Sequence, residues 1–280
     1  MAVGIGIDIG SISIKAAVVG KNLEELKVKK LVKDKDFFKL SSLSETSDLS
    51  VLLSTYKRIR GRPLDAFENF SQVISDALNG SEIHLAVTGS GGKLAGITYN
   101  ALIVNEFAAI VEAINKFHPD VRTVFEMGGE TSKYILLGKT TDSEPLHIFD
   151  YSTNGDCAAG TGSFMDQQSS RLKFRIEDIG DIVERASKAA QIAGRCSVFA
   201  KSDMIHAQQR GYQPDEVLKG LCNAVMRNFK SAICRSKKIV PPVIFIGGVS
   251  LNTGILRALM NVFDLNENDI YVPETMCWLG

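Results

Sequence analysis

A short segment near the start of the chain decides the fold, Ile5-Gly6-Ile7-Asp8-Ile9-Gly10-Ser11-Ile12-Ser13-Ile14-Lys15. The apolar run over residues 3–9 predicts a buried strand, residues 10–13 predict a tight turn, and residues 14–19 predict a strand that returns beside the first. Backbone N–H groups of such a turn point into a concavity that binds anions, and Lys15 adds a positive charge. The segment therefore predicts a phosphate-binding β-hairpin.

The same pattern returns in the second half of the chain, at Val124-Phe125-Glu126-Met127-Gly128-Gly129-Glu130-Thr131-Ser132-Lys133. Again a strand leads through an acidic residue into glycines and hydroxyls, and a lysine begins the returning strand. A third glycine turn, Gly247-Gly248-Val249-Ser250-Leu251-Asn252, follows the apolar run over residues 243–246. We interpret the repeat as an internal duplication and expect two related domains, residues 1–119 and 120–280, with a cleft between them.

The rest of the chain predicts a mixed α/β architecture. Helically spaced apolar residues predict helices over residues 64–78, 105–117, 162–172, 176–190, 202–209, 214–234 and 253–260. Residues 85–88 and 270–272 predict strands, residues 21–60 predict peripheral strands and a loop, and Gly89-Ser90-Gly91-Gly92 predicts a flexible stretch.

The composition excludes several classes of protein. The 280 residues are 45% hydrophobic and 23% charged, as in an ordinary globular protein. Lys+Arg and Asp+Glu both number 32, whereas a nucleic-acid-binding protein would show a basic excess. The apolar runs are far shorter than the roughly 20 residues of a membrane span. Since no basic leader opens the chain, we expect a cytoplasmic protein that binds neither nucleic acid nor a membrane.

Familiar site motifs are also missing from the sequence. It has no Gly-x-x-x-x-Gly-Lys-Ser/Thr motif, which excludes a P-loop, and no Gly-x-Gly-x-x-Gly that opens a helix, which argues against a Rossmann site. The cysteines are odd in number and widely spaced, so they predict no disulfide framework. Asp8 and Glu126 lie at predicted strand ends, where carboxylates can hold Mg²⁺ through water.

The three glycine turns resemble the phosphate-1, phosphate-2 and adenosine motifs of the actin, Hsp70 and sugar-kinase superfamily, whose fold is ribonuclease H-like. Two more segments resemble the cysteine segments of the 2-hydroxyacyl-CoA dehydratase activators, within the benzoyl-CoA reductase and activator ATPase family. They are Asn154-Gly155-Asp156-Cys157-Ala158-Ala159-Gly160-Thr161-Gly162-Ser163-Phe164 and Gly194-Arg195-Cys196-Ser197-Val198-Phe199-Ala200-Lys201-Ser202-Asp203. The resemblance covers nearly the whole chain and implies an actin-like α/β ATPase fold of two domains, with ATP and Mg²⁺ in the cleft.

The resemblance also implies the residues of the site. Asp8, Glu126 and Glu130 take the catalytic positions. The positions that bind the nucleotide are Gly10, Ser11, Ser13, Lys15, Gly128, Gly129 and Thr131 for the phosphates and Gly247, Gly248 and Asn252 for the adenosine. Glu216 and Lys219 either reach the ribose or form an exposed salt pair one helical turn apart.

Cys157 and Cys196 take the positions of metal ligands, since in that family one cysteine from each segment holds a single [4Fe-4S] cluster across a homodimer. The stoichiometry agrees, because a cubane needs four thiolates and a two-fold axis doubles the two of each chain. Each cysteine precedes a predicted helix, whose N-terminal dipole favours a thiolate. Cys222 and Cys234 fall inside a predicted helix and are expected to pack in the core.

By resemblance the chain is an ATP-hydrolysing one-electron donor. It would take electrons from reduced ferredoxin or flavodoxin and pass them to an iron-sulfur dehydratase, a benzoyl-CoA reductase or a related double-cubane protein. The same turns also suit a small-molecule sugar or acyl kinase, with Asp150 or Asp156 as its catalytic aspartate, or a non-catalytic regulatory module of a larger protein.

The sequence departs from the family pattern in the second phosphate turn and at its end. The activators generally carry Gly-Gly-Gln-Asp where this chain has Gly128-Gly129-Glu130-Thr131, and an aspartate where it has Glu126. Both changes fall on predicted contacts to the γ-phosphate or Mg²⁺. The chain stops at Cys277-Trp278-Leu279-Gly280, before the C-terminal helix of the activators, so we expect the N-terminal activator domain of a longer activase.

Overall fold

The computed structural model describes residues 2–21, 37–39, 49–59, 61–78, 80–141, 143–155, 161–193 and 197–274. They form two compact units, the first extending to Ala113 and the second beginning at Ile114. The predicted domain boundary at residue 119 stays a prediction. In the described ranges, no helix has both the length and the apolar content needed to cross a membrane.

The first unit is built on a mixed sheet. Its strands are β1 (Ala2–Ile9), β2 (Ser13–Lys21), β3 (Phe37–Lys39), β4 (Leu49–Ser54), β5 (Lys57–Arg58), β6 (Glu82–Thr88) and β7 (Leu102–Ile103). They run in the order β3-β4-β2-β1-β6-β7, and β5 pairs with β2. The helices are α1 (Pro63–Ala77), α2 (Gly92–Tyr99) and α3 (Glu106–Phe117), the last of which ends in the second unit.

The alternation of side chains along β1 shows why this sheet forms. Ile5, Ile7 and Ile9 point into the core and are at most 5% exposed, whereas Gly6 and Asp8 point to the opposite face. The amphipathic helix α1 packs into the same core through Phe67, Phe70, Ile74 and Ala77. The first strand, its hairpin and the helix after it confirm the sequence prediction.

The second unit contains another mixed sheet. Its strands are β8 (Thr123–Met127), β9 (Ser132–Gly138), β10 (His147–Thr153), β11 (Val243–Ile246) and β12 (Ile270–Tyr271), in the order β10-β9-β8-β11-β12. The helices are α4 (Gly162–Arg171), α5 (Ile179–Arg185), α6 (Ser197–Gln209), α7 (Pro214–Ala232) and α8 (Thr253–Phe263), with short 3₁₀ helices at Ile176–Asp178 and Gly248–Leu251.

The two sheets share one pairing scheme, as the repeated sequence pattern leads one to expect. β1 and β8 are each antiparallel to the next strand in the chain, β2 or β9. On their other side they are parallel to β6 or β11. β2 and β9 are in turn antiparallel to β4 and β10. The hairpins at Gly10 and Gly128 therefore occupy equivalent positions in the two units.

Element ends differ from the prediction where tertiary contacts decide them. The helix predicted over residues 176–190 ends at Arg185, because the chain then turns extended at Ala186 and the N–H of Ala190 bonds to the Glu216 carbonyl on α7. α7 itself ends at Ala232, so Cys234 lies just beyond it. The predicted flexible stretch at residues 89–92 instead leads directly into α2, which begins at Gly92.

Candidate functional site

The first hairpin holds a charged pair at its turn. Lys15 Nζ forms an ion pair with Asp8, its antiparallel partner across β1 and β2, and their side chains are 11% and 17% exposed. The N–H of Gly10 donates to the Ser13 carbonyl at 2.9 Å and closes the turn. Ser11 is half-buried beside them. The structure thus brings the predicted residues of this turn together.

The second hairpin repeats this arrangement. Lys133 Nζ lies 2.8 Å from a carboxylate oxygen of Glu126, again its cross-strand partner, with side chains 6% and 13% exposed. The N–H of Gly128 donates to the Thr131 carbonyl at 2.8 Å. Glu130 is exposed at the tip of the turn.

Asn154 adds bonds that hold the second turn. Its Oδ1 accepts from the Ser132 N–H at 2.7 Å, and its Nδ2 donates to the Glu130 carbonyl at 2.9 Å. Asn154 follows β10, a strand that sequence patterning did not predict, because this half-exposed edge strand lacks a continuous apolar face.

The start of α4 is bonded to the same turn. The N–H groups of Gly162 and Ser163 donate to the carbonyls of Gly128 and Gly129 at 2.9 and 2.7 Å. A Cβ on Gly162 would lie 3.0 Å from the Gly128 carbonyl oxygen, so only a glycine fits this approach without adjustment. The second glycine turn is therefore hydrogen-bonded directly to α4, the helix that begins five positions after Cys157.

The third turn lies against the second in the same unit. Gly247 has a φ of +89°, and a Cβ there would lie 2.5 Å from the Met127 carbonyl oxygen. Gly248 is half-buried beside it. Asn252 caps α8, and its Oδ1 accepts from the Ile255 N–H at 3.1 Å.

Gly89 is the counterpart of Gly247 in the first unit. It follows β6 as Gly247 follows β11, has a φ of +87°, and a Cβ there would meet the Asp8 carboxylate and the Ile9 carbonyl. The sequence pattern did not predict this turn, because its glycines are typical of a flexible stretch. The signal was present in the pattern of a strand, a glycine and a helix that both units share.

A cavity of about 130 Å³ borders the first hairpin, and Asp8, Lys15 and Thr88 line it with mostly apolar neighbours. The Thr88 hydroxyl is buried and has no hydrogen-bond partner in the described structure. A carboxylate with an unpartnered hydroxyl beside it is an oxygen donor set that suits hydrated Mg²⁺. The residues present therefore fit the predicted metal.

The other predicted site residues stand as follows. Cys157 and Cys196 lie outside the described residues, and among those described no group of three or more His, Cys, Asp or Glu side chains could hold a metal. Glu216 caps α7: it accepts from the Gln213 N–H and the Ser187 hydroxyl, and these bonds hold its pKa below the usual value. Lys219 Nζ donates to the Ala186 carbonyl.

The kinase alternative has one described candidate. Asp150 pairs with Lys237 Nζ at 2.6 Å on the edge strand β10, and Asp156 lies outside the described residues.

Comparison with solved structures defines the class of the fold. The chain is similar to an activator of the 2-hydroxyisocaproyl-CoA dehydratase from Clostridium difficile, solved with bound ADPNP, at a TM-score of 0.74 and 21% identity. The match covers 99% of this chain and 90% of that one. The fold is therefore the actin-like two-domain α/β ATPase fold with two mixed sheets, as predicted.

Sequence comparison defines the family. The chain belongs to the BadF/BadG/BcrA/BcrD ATPase family, whose model matches residues 5–276. It is 26% identical over 171 residues to the 2-hydroxyisocaproyl-CoA dehydratase activator of Clostridioides difficile, covering 61% of each chain. It is 28% identical over 180 residues to the activator of lactoyl-CoA dehydratase of Anaerotignum propionicum, covering 63% of this chain and 66% of that one. These alignments thus span slightly under two thirds of the relatives' length.

Proposed function

We propose that this chain is an ATP-dependent one-electron donor that activates a partner iron-sulfur enzyme: a 2-hydroxyacyl-CoA dehydratase, a benzoyl-CoA reductase or a related double-cubane protein. The observation that carries the proposal is the pair of equivalent hairpins, each with a cross-strand acid and lysine at a glycine turn. The relatives named as dehydratase activators support the class of partner.

In this proposal the three turns bind ATP and Mg²⁺. Asp8 and Glu126 would hold the hydrated metal, and Glu130 would orient the attacking water. The phosphates are bound by Gly10, Ser11, Ser13, Lys15, Gly128, Gly129 and Thr131, and the adenosine by Gly247, Gly248 and Asn252. Hydrolysis then relies on positioning and on preorganised N–H groups that stabilise charge on the phosphoryl oxygens. The relative solved with ADPNP supports the choice of nucleotide.

Cys157 and Cys196 would hold the cluster, half of its ligands from each subunit of a homodimer. When bound, a [4Fe-4S] cluster supplies the low-potential electron, which reduced ferredoxin or flavodoxin provides. α6 begins directly after Cys196, and the ring of Phe199 on its first turn is 65% exposed. An exposed aromatic residue beside the ligand supports a subunit contact at this place.

The start of α4 offers a physical link between the nucleotide and the cluster. The Gly128 and Gly129 carbonyls accept hydrogen bonds from the first two N–H groups of α4. These two N–H groups lie five and six positions after Cys157. A change in this turn on hydrolysis would move the helix end through those bonds. The proposal thus connects the second phosphate turn with the cysteine segment inside one unit.

Iron and nucleotide binding by anaerobically purified protein test the proposal together. We expect about two iron and two sulfide atoms per chain, half of a shared cubane. Cys157→Ser and Cys196→Ser should each lose the iron and weaken the dimer while they keep Mg·ATP binding, because the turns use other residues.

Cys222→Ala is the matched control. Cys222 is 1% exposed, and burial raises its pKa to about 12, so it remains a thiol and its loss should leave the iron in place. If both cluster variants kept their full iron content, the electron-donor function would be wrong and a kinase would take its place. If the wild-type protein bound no Mg·ATP in calorimetry, the ATPase function would be wrong.

A further inference from the structure

Thr88 is the last residue of β6, and its buried hydroxyl has no explanation in the fold. The residue is 7% exposed, and its Oγ1 has no hydrogen-bond partner in the described structure. A buried hydroxyl without a partner destabilises the folded state. The parallel register sets Thr88 beside Asp8 on one face of the sheet, and both residues line the cavity with Lys15.

The second unit shows that the fold itself does not need a hydroxyl at this position. Asp8 pairs with Thr88 across β1 and β6, and Glu126 pairs with Ile246 across β8 and β11. Ile246 is the equivalent of Thr88, and it is apolar and 1% exposed. An apolar side chain therefore suits the strand end, and the polar one in the first unit points to a ligand.

We propose that the Thr88 hydroxyl positions the magnesium ion of the nucleotide site by binding a water molecule of its hydration shell, next to Asp8. This rests on the proposed ATPase function. Mg²⁺ keeps several waters and takes only one or two carboxylates from the protein. A metal-bound water donates hydrogen bonds, so it needs acceptors. Asp8 and the Thr88 oxygen accept, whereas the Lys15 ammonium only donates.

Three variants of the full chain test this assignment. Thr88→Val keeps the shape and removes the hydroxyl, Thr88→Ser keeps the hydroxyl, and Ser71→Ala removes another buried unpartnered hydroxyl, on α1 and away from the cavity. Thermal unfolding without nucleotide and calorimetric binding of ATP, with Mg²⁺ or with EDTA, are measured for each.

We expect Thr88→Val to unfold at the wild-type temperature or above it, because a buried unpartnered group is lost. Its Mg·ATP affinity should fall about five- to tenfold, the worth of one hydrogen bond, while its affinity for ATP in EDTA stays within about twofold. Thr88→Ser should restore Mg·ATP binding, and Ser71→Ala should change neither affinity.

The measurements distinguish a failure of the Thr88 assignment from a failure of the proposed ATPase function. If wild-type protein binds Mg·ATP and Thr88→Val binds it equally well, the role of Thr88 is wrong and the ATPase function stands. Equal weakening with Mg²⁺ and with EDTA overturns the contact to metal-bound water. A lower unfolding temperature for Thr88→Val shows a structural hydroxyl and also overturns it. If wild-type protein binds no Mg·ATP, both proposals fall.

Discussion

In the first unit the acid and the lysine of the hairpin border a cavity, whereas in the second unit the hairpin turn is hydrogen-bonded to its neighbours. The Asp8–Lys15 pair borders a space of about 130 Å³ and an unpartnered hydroxyl. Around the turn after Glu126, Asn154 instead accepts from the Ser132 N–H and donates to the Glu130 carbonyl. The first two N–H groups of α4 donate to carbonyls of the same turn.

The difference shows that the same hairpin can border a cavity in one unit and be hydrogen-bonded to a helix in the other. Both copies keep the acid, the glycine and the lysine, so each places a pair of opposite charges at a glycine turn. The first copy leaves room for a ligand next to its carboxylate. In the second copy, carbonyls of the turn accept hydrogen bonds from the first N–H groups of α4, so the turn is connected to that helix.

Substitution of the two hairpin acids should change the rate of ATP hydrolysis more than any other measured property. Asp8→Asn should lower the ATPase rate about a hundredfold, because a carboxylate beside the cavity can hold the metal that stabilises the developing charge. Glu126→Gln should cost about tenfold, since the described cavity borders only the first acid. Steady-state phosphate release measures both rates, with unfolding curves as the control for the fold. Equal losses in the two variants would show that the two hairpin acids contribute equally to hydrolysis and would contradict the difference between the two hairpins.

A second effect is on stability. Lys133→Met leaves the Glu126 carboxylate buried without its cross-strand ammonium and should cost about 3 kcal/mol in denaturant unfolding. Lys15→Met should cost about half as much, because water in the cavity can solvate Asp8. The double variant Glu126→Gln with Lys133→Met should regain most of the loss. A greater loss for Lys15→Met would contradict the open character of the first site.

Asn154 tests the bonds that only the second turn has. Asn154→Ala removes an acceptor from the Ser132 N–H and a donor to the Glu130 carbonyl, at about 1 kcal/mol each, so about 2 kcal/mol in all. Hydrogen exchange at the Ser132 amide should accelerate. Asn154→Asp keeps the acceptor and should lose about half as much. Unchanged exchange in Asn154→Ala would show that the turn needs no such support.

The effect expected to be weakest is the contribution of Glu216, an acid outside the hairpin of the second unit, to the pH dependence of stability. The Gln213 N–H and the Ser187 hydroxyl hold the pKa of Glu216 below its usual 4.5. A lowered pKa means that its stabilisation is present above pH 4.5 and is lost as the pH falls through the folded-state value. Glu216→Gln should therefore lower the unfolding midpoint at pH 7 and approach wild type in acid. A constant difference at all pH values would refute this.

The hairpins were predictable because their signals are local. Strand alternation, the glycine turn and the flanking charges at Asp8–Lys15 and Glu126–Lys133 all lie within a few residues, so the pattern alone predicted each hairpin and its charged residues. The ion pairs across the strands were found only in the structure. The sequence also indicated the α/β class, most helices and the family. Prediction failed at the end of α5, at β10 and at Gly89, where a distant contact or an edge position decides the conformation.

The repeated segments and the length of each turn are local features of the amino-acid order, and together they set which residues pair across each hairpin. The folded chain was needed to show that Thr88 lies beside Asp8, that Ile246 lies beside Glu126, and that α4 is hydrogen-bonded to the second turn. The physical reason is that parallel strands and helix ends are brought together over long stretches of chain. Their contacts depend on how the whole unit packs, which local spacing does not encode.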